Sequence, residues 1–394
     1  MNAETADVVI VGGGIIGMAI AHYLAERRFG RICVLERSYV GAGSTGQSVA
    51  SIEPLSLFSS TAILQRRSYE VFLNFRERFG GDGGFVRLPL AFFVDQAQLP
   101  ALQNAVKIAQ DAGSTASILS PDEFRAEIPD VQLDDVAGVY CSPDAGFADP
   151  VLTLNGITER ARAAGIVIRQ STAVDSLEVQ AGRIIGVRTA QGVIAAPVVV
   201  LATGLWVEAL LQPLGIRLPV RFLRHYVVNL GTPAGALRHS IIDGVLDFYI
   251  RPEQAQDSCL MGMALHNAAD TFADVHDLSK APPGVSQEMG FQVWEKVVTR
   301  FPFLEQAHLK RGYTGVADMT PDNQPLLGPL PISGLFVAAG MSGIGFKMAP
   351  GIGQLMADLI AGEAEAARIL YPLRPTRADE GSLLVPANRL STIA

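Results

Sequence analysis

Cysteine is scarce in this 394-residue chain, which carries only Cys33, Cys141 and Cys259. They are scattered, and no CxxC pair or Cys/His cluster occurs. A disulfide framework and a zinc site are therefore unsupported, and the usage suits a reducing cytoplasm. Charge is thin as well: 18% of residues are charged, the formal net charge is −8, and no basic stripe is visible, which excludes a nucleic-acid partner. Long apolar runs are missing. The longest, Val193–Val207, falls short of the roughly 18–20 residues of a membrane span. It also holds Pro197, Thr203 and Gly204, which suit a buried strand followed by a turn. The opening residues lack a basic segment, so no signal peptide is expected. The expected location is cytoplasmic, at most peripheral to a membrane. No internal repeat and no metal-ligand cluster is found.

What is present is apolar content, 49% of residues, with a mean hydropathy of +0.27. That implies a large buried core, and the length suggests two domains. The run Asp7–Glu36 reads as strand, glycine turn, helix, strand and acid. Gly12, Gly14 and Gly17 stand at the G-x-G-x-x-G spacing, with Ile15 and Ile16 between. The first glycine allows the tight turn, the second lets the backbone approach a pyrophosphate, and the third lets helix and strand pack closely. Amides at the helix N-terminus then face the phosphates. Glu36 ends the second strand, placed to accept hydrogen bonds from a ribose. Together these features predict a dinucleotide site.

Further along, Gly41–Ser51 is a small-residue loop able to lie against a ligand. Thr61–Phe79 and Pro100–Ala112 carry helical spacing, and Phe85–Val94 alternates as a strand. Ser120 with Glu123 forms a capping-box pattern. Helix Val151–Ala164 follows Asp149-Pro150. Ile166–Arg169, Ala173–Gln180, Arg183–Thr189 and Val198–Ala202 read as strands. Arg221–Asn229, Ser240–Ile242, Leu246–Arg251 and Ser258–Leu265 alternate without intervening helices, which favours an antiparallel sheet. Gln287–Arg300 is helical, and strand Leu335–Ala339 precedes helix Gly351–Ala361. The parallel-sheet signals come from separated pieces, so the expected class is α/β with a discontinuous Rossmann-like domain. Residues 1–84, 146–219 and 311–370 are expected to form it. Residues 85–145 and 220–310 are expected to form an interleaved antiparallel-sheet (α+β) substrate domain, and 371–394 a tail that drapes or frays.

Four motifs then line up: the glycine turn with Glu36; VVVLATG at Val198–Gly204; YTGVADMTPDNQPLLG at Tyr313–Gly328; and GMSGIGFKMAPGIGQLMADLI at Gly340–Ile360. In this order the chain resembles the D-amino-acid-oxidase-like family of FAD-dependent oxidoreductases, closest to the sarcosine oxidase and amino-acid dehydrogenase β-subunit branch. The resemblance implies FAD held by Gly12, Gly14, Ile15, Ile16, Gly17 and Glu36. It adds Arg37 near the adenine or phosphates, and Ser44, Thr45 and Gln47 in the loop near the flavin ring or pyrophosphate. A backbone contact near Val174 and the turn Ala202, Thr203 and Gly204 complete the nucleotide side. Gly340, Gly343, Ile344, Gly345 and Phe346 would lie at the flavin ring. There the helix N-terminus offers positive potential to an anionic reduced flavin. Lys347 would hold a substrate carboxylate.

Departures from the family matter as much. The arginine of related oxidases is absent from Gly315–Thr320, which leaves Lys347 as the carboxylate anchor. Arg311–Met319 contains no cysteine, so the FAD is expected to be non-covalent. Ser258–Met263 lacks the lysine that promotes reaction with oxygen, so a dehydrogenase stands beside an oxidase. The acceptor is then oxygen, a quinone, or a partner flavoprotein or iron–sulfur subunit, in a hetero- or homo-oligomer. On the substrate side, Tyr249 and Arg251 share one strand face. They suit a carboxylate, or else a strand-end tyrosine and an arginine closing onto Pro252. His225 is a candidate base or a structural histidine; His266 and His308 are weaker ones. Glu53, after the small-residue loop, is a candidate to meet a basic substrate group or else a surface residue. The expected reaction is oxidation of the C–N bond of an amino acid or N-alkyl amino acid (sarcosine-, glycine- or proline-like) by hydride transfer to flavin N5, giving an imine. The alternatives are a 2-hydroxy acid or polyol-phosphate dehydrogenase, and a non-catalytic FAD-binding subunit of a complex.

Overall fold

The computed structural model describes residues 4–253, 257–263, 271–272, 284–386 and 390. A six-stranded sheet lies at its centre, in the order Val167–Arg169, Ile32–Leu35, Val8–Val11, Val198–Leu201, Leu335–Ala339, Leu326–Pro329. The first five strands run parallel, and Leu326–Pro329 is antiparallel at the edge. Alternation sends Val8, Ile10, Ile32 and Val34 to one face, where helices Ile15–Glu26, Ser59–Leu73, Pro150–Ala163 and Gly345–Ile360 cover them. Val9, Val11, Cys33 and Leu35 point to the other face. A four-stranded sheet built on Val174–Gln180 and Arg183–Thr189 packs over those. Both faces are thus buried, which explains why these strands read as continuous apolar runs.

Helix Gly345–Ile360 is wedged between two others. A Cβ on Gly351 would meet the Leu64 carbonyl oxygen at 2.4 Å, and one on Gly353 would meet the Ala19 backbone at 2.8 Å. The glycines of this motif therefore set helix–helix distance as well as turn geometry.

The second large sheet has ten strands and is antiparallel apart from one parallel pair, Ser240–Asp243 with Leu90–Val94. Its long strand Arg221–Gly231 pairs with Ser258–Gly262 and with Tyr313–Met319. The last of these was grouped by sequence with the nucleotide-binding part. Several expected elements are divided. Thr61–Phe79 is two helices, Ser59–Leu73 and Phe75–Phe79, broken at Asn74. Phe85–Val94 is two strands, Val86–Arg87 and Leu90–Val94. The Ser120 capping box is present as expected, and Asp149 caps its helix by accepting from the Val151 and Leu152 amides, both at 2.8 Å.

The described part of the tail lies against the body of the protein. Arg377 is fully buried, and Leu390 is buried in the same hydrophobic cluster as Leu55, Phe92 and Leu102. Of the two expected behaviours, draping and fraying, the buried arginine and leucine agree with draping at those two positions. No helix of the described residues is long and apolar enough to cross a membrane.

Candidate active site

The carboxyl ends of the parallel strands open onto a cavity of about 500 Å³. This is where ligands bind in open α/β sheets. Gly12 sits there with φ +112°, and a Cβ on it would lie 2.4 Å from the Ala202 carbonyl oxygen. A Cβ on Gly17 would lie 2.1 Å from the Gly12 carbonyl oxygen. Only glycine fits either position. Gly12, Gly14, Ile15, Ile16, Glu36, Arg37, Ser44, Thr45, Val174, Ala202, Thr203, Gly204, Gly343, Gly345 and Phe346 all line this cavity, as do His225 and Tyr249. Gly17, Gln47 and Gly340 do not; each acts behind the wall. Gln47 Oε1 accepts from the Val316 amide (3.3 Å), and Ser44 Oγ donates to the Val316 carbonyl (2.7 Å). This pair clips the loop to the antiparallel sheet.

Glu36 accepts from the Gly13 amide and from the Ser38 amide, each at 2.8 Å. These bonds fix the carboxylate at the cavity wall, and each oxygen keeps acceptor capacity for a ribose hydroxyl. Thr45 Oγ1 accepts from the Ile15 amide at 3.1 Å, so it caps the first helix from a distant loop. Thr203 Oγ1 is buried without a hydrogen-bond partner among the described residues. A strand-end glycine turn, a fixed ribose acceptor and an orphaned hydroxyl along one cavity fit the sugar–diphosphate part of FAD.

Sequence reading missed Trp206. It lines the cavity, and the Arg37 guanidinium stacks over its ring at 3.7 Å. It also missed Asp318. That carboxylate lines the same cavity, is 6% exposed, and accepts from the Gly340 amide at 2.6 Å. Burial pushes its pKa up to about 6, against the lowering effect of the Gly340 amide. The Ser342 amide donates to the Asp318 carbonyl at 2.8 Å, and the Thr320 amide to Ser342 Oγ at 3.1 Å. Ser342 itself holds φ +49° between Gly340 and Gly343, both also at positive φ. The turn before helix Gly345–Ile360 is thus strained, and Asp318 and Thr320 hold it in place.

A second cavity, of about 550 Å³, adjoins the first. Ser48, Val49, Tyr249, Gly343 and Phe346 belong to both walls. Ile344, Lys347 and Arg251 line only the second, together with Glu53 and Arg221. Lys347 Nζ forms an ion pair with Glu53 Oε1, the two side chains being 11% and 8% exposed. Glu53 is therefore buried, which corrects the surface reading; its partner lies in the last motif, invisible to local pattern. Arg251 is committed to the framework. Its Nε donates to Val49 O (2.9 Å) and its Nη1 to Pro252 O (3.0 Å), it pairs with Glu253 at 2.6 Å, and it lies 4.3 Å over the Phe147 ring. The Tyr249 hydroxyl lies against Gly262, where a Cβ would meet it at 2.5 Å. Burial raises the Tyr249 phenol well above its ordinary pKa, so it stays protonated and able to donate. His225 faces Gly315 across the strand pair; its Nε2 lies 2.3 Å from where a Cβ at 315 would be. His308 is on a sheet edge away from both cavities. His266 and the end of the expected strand Ser258–Leu265 lie outside the described residues.

The fold and this bipartite cavity define a flavin-dependent oxidoreductase with a Rossmann-like nucleotide domain. Residues 7–359 match the FAD dependent oxidoreductase family, DAO, and the chain belongs to it. It is 26% identical over 388 residues to mouse (Mus musculus) mitochondrial sarcosine dehydrogenase, covering 94% of this chain and 41% of that protein. It is 27% identical to 4-methylaminobutanoate oxidase (formaldehyde-forming) of Paenarthrobacter nicotinovorans, covering 89% of this chain and 43% of that one. The chain thus spans about two fifths of these relatives' length. Sarcosine oxidase subunit beta of an Arthrobacter species is 27% identical, with 97% and 93% covered. Among solved structures, L-proline dehydrogenase from P. horikoshii superposes with a TM-score of 0.86 at 24% identity, covering 97% of this chain and 100% of that one. Glycine oxidase from Geobacillus kaustophilus superposes at 0.80 with 26% identity, covering 95% and 99%.

Proposed function

We propose that the chain oxidises the C–N bond of an amino acid or N-alkyl amino acid, with FAD in the first cavity and substrate in the second. One observation carries this reading: the two cavities share the wall made by Tyr249, Gly343 and Phe346, and Lys347 stands on the substrate side of it. Bound FAD supplies a hydride acceptor at the ring, and the chain's residues do the rest. Lys347 draws a substrate carboxylate toward the start of helix Gly345–Ile360. The protonated Tyr249 hydroxyl donates from the opposite wall. Between them the substrate's α-carbon is held beside the shared wall, a proximity effect. The amine binds neutral, so no strong base is required, and His225 keeps its place in the cofactor wall. The glycine turn and the start of helix Gly345–Ile360 would hold the flavin ring and offer it positive potential.

The absence of cysteine from strand Tyr313–Met319, and the His225 ring filling the space beside Gly315, support non-covalent FAD. The buried strand Ser258–Gly262 carries no lysine, which supports an acceptor other than oxygen. The Arthrobacter relative is by name one subunit of a larger enzyme, which supports a partner polypeptide here. The test is anaerobic: FAD-loaded protein is mixed with glycine, sarcosine, proline, other amino acids and 2-hydroxy acids, and flavin absorbance is followed. Bleaching by amino or N-alkyl amino acids is expected. Bleaching by hydroxy acids alone, or by nothing, overturns the assignment.

A further inference from the structure

Glu53 is the only acidic side chain lining the second cavity among the described residues. It is 8% exposed, its Oε1 is engaged by Lys347, and its Oε2 is buried without a hydrogen-bond partner. A carboxylate oxygen buried in that state lacks the donors it would have in water. Glu53 also cancels the charge of Lys347. If Lys347 receives a substrate carboxylate, as the proposed function holds, the cluster gains a second negative charge and Glu53 becomes its unbalanced member. The reacting amine is neutral and cannot restore the balance. The other cations on this wall do not reach that need either. Arg251 is tied to Val49, Pro252 and Glu253, and Arg221 is exposed at the start of its strand.

We infer that the substrate supplies the missing positive charge. It carries a basic nitrogen in addition to the amine being oxidised, and that second nitrogen donates to Glu53. Glu53 is then the specificity-determining residue, and the substrate class narrows to basic amino acids and their N-alkyl derivatives. A buried pocket built to hydrogen-bond such a group rejects analogues that lack it strongly, because its own polar atom is then left unpaired. The inference rests on the proposed C–N oxidation, and the experiment separates the two.

FAD-loaded protein is reduced anaerobically by racemic lysine, ornithine and arginine, and by racemic norleucine, alanine and glutamate. The concentration dependence of bleaching gives an apparent Kd for each. The expected result is at least a tenfold preference for the basic compounds over norleucine. Glu53→Gln, which keeps an acceptor for Lys347, should reduce that preference to about one while FAD content is unchanged. Glu53→Asp, which keeps the charge but shortens the reach, should retain an intermediate preference. Equal use of norleucine and lysine by the unaltered protein overturns the inference and leaves C–N oxidation standing. So does a preference for glutamate, which would move specificity to Arg221. Failure of every amino compound to bleach the flavin sinks both. The ratio in the unaltered protein is decisive even if a variant does not fold.

Discussion

Arg377 and Asp322 meet as a fork: Nε donates to Oδ2 and Nη2 to Oδ1, both at 2.7 Å, with each side chain 1% exposed. Asp322 belongs to the Thr-Pro-Asp motif, whose Thr320 holds the turn at Ser342. The tail is thereby tied to the segment that shapes the cofactor wall. Arg377→Ala should destabilise the protein by about 3–5 kcal/mol, the usual cost of stranding one member of a buried pair. Thermal unfolding checks this, and proteolysis should then cut the segment after Leu373 in the otherwise folded protein.

Gly12→Ala should lower FAD affinity about tenfold to a hundredfold, since a side chain at this positive φ carries a strain of roughly 1–3 kcal/mol and its Cβ would press on the Ala202 carbonyl. The ratio of flavin to protein absorbance in purified material, and titration of apoprotein with FAD, measure it. An unchanged ratio would detach the glycine turn from the cofactor.

Trp206→Ala should weaken FAD binding about 3- to 30-fold, the range of a cation–π contact of roughly 0.5–2 kcal/mol. Trp206→Phe should recover most of the loss, because a ring remains for Arg37. Arg37→Met should match Trp206→Ala if the stack acts as one unit.

Lys347→Met should raise the KM for amino acid substrate about 10- to 100-fold, as expected for a charge-assisted hydrogen bond. It also leaves Glu53 buried and uncompensated, so stability should drop by about 3–5 kcal/mol. Adding Glu53→Gln should restore much of the stability but not the KM. Recovery of both would show that Lys347 serves only the ion pair.

Asp318 provides the pH prediction. Its folded pKa of about 6 exceeds the ordinary value of 3.8, so the native state holds this proton more tightly than the unfolded chain. Its contribution is most favourable below about pH 4 and is lost as pH rises to about 6, at most about 3 kcal/mol. Asp318→Asn keeps an acceptor for Gly340 and removes the ionisation. It should therefore melt higher than the unaltered protein at pH 7.5, with the difference shrinking toward pH 4.

Much of the nucleotide-binding half was legible because its constraints are local. A glycine turn, a β-branched strand and an acid must lie close in sequence, and alternation along Val8–Val11 already separates the two packed faces. The Ser120 and Asp149 caps were legible for the same reason. The pairing of Glu53 with Lys347 was not, since the partners come from opposite ends of the chain and each alone looks like a solvated charge. Trp206 and Asp318 were quoted within motifs or beside them, yet nothing local tells a ring under Arg37 or a carboxylate under Gly340 from ordinary neighbours. Composition could not choose between a draped and a frayed tail, because it reports average exposure, whereas Arg377 and Leu390 are buried singly.

Helix Ile15–Glu26 follows the first strand, yet the surface that covers it at Ala19 comes from Gly353, in the last long helix. A growing polypeptide therefore leaves the ribosome with this βαβ unit uncovered until the distant helix Gly345–Ile360 has been made. During that interval an apolar helix lacks its packing partner, and holding chaperones are the natural shelter for it.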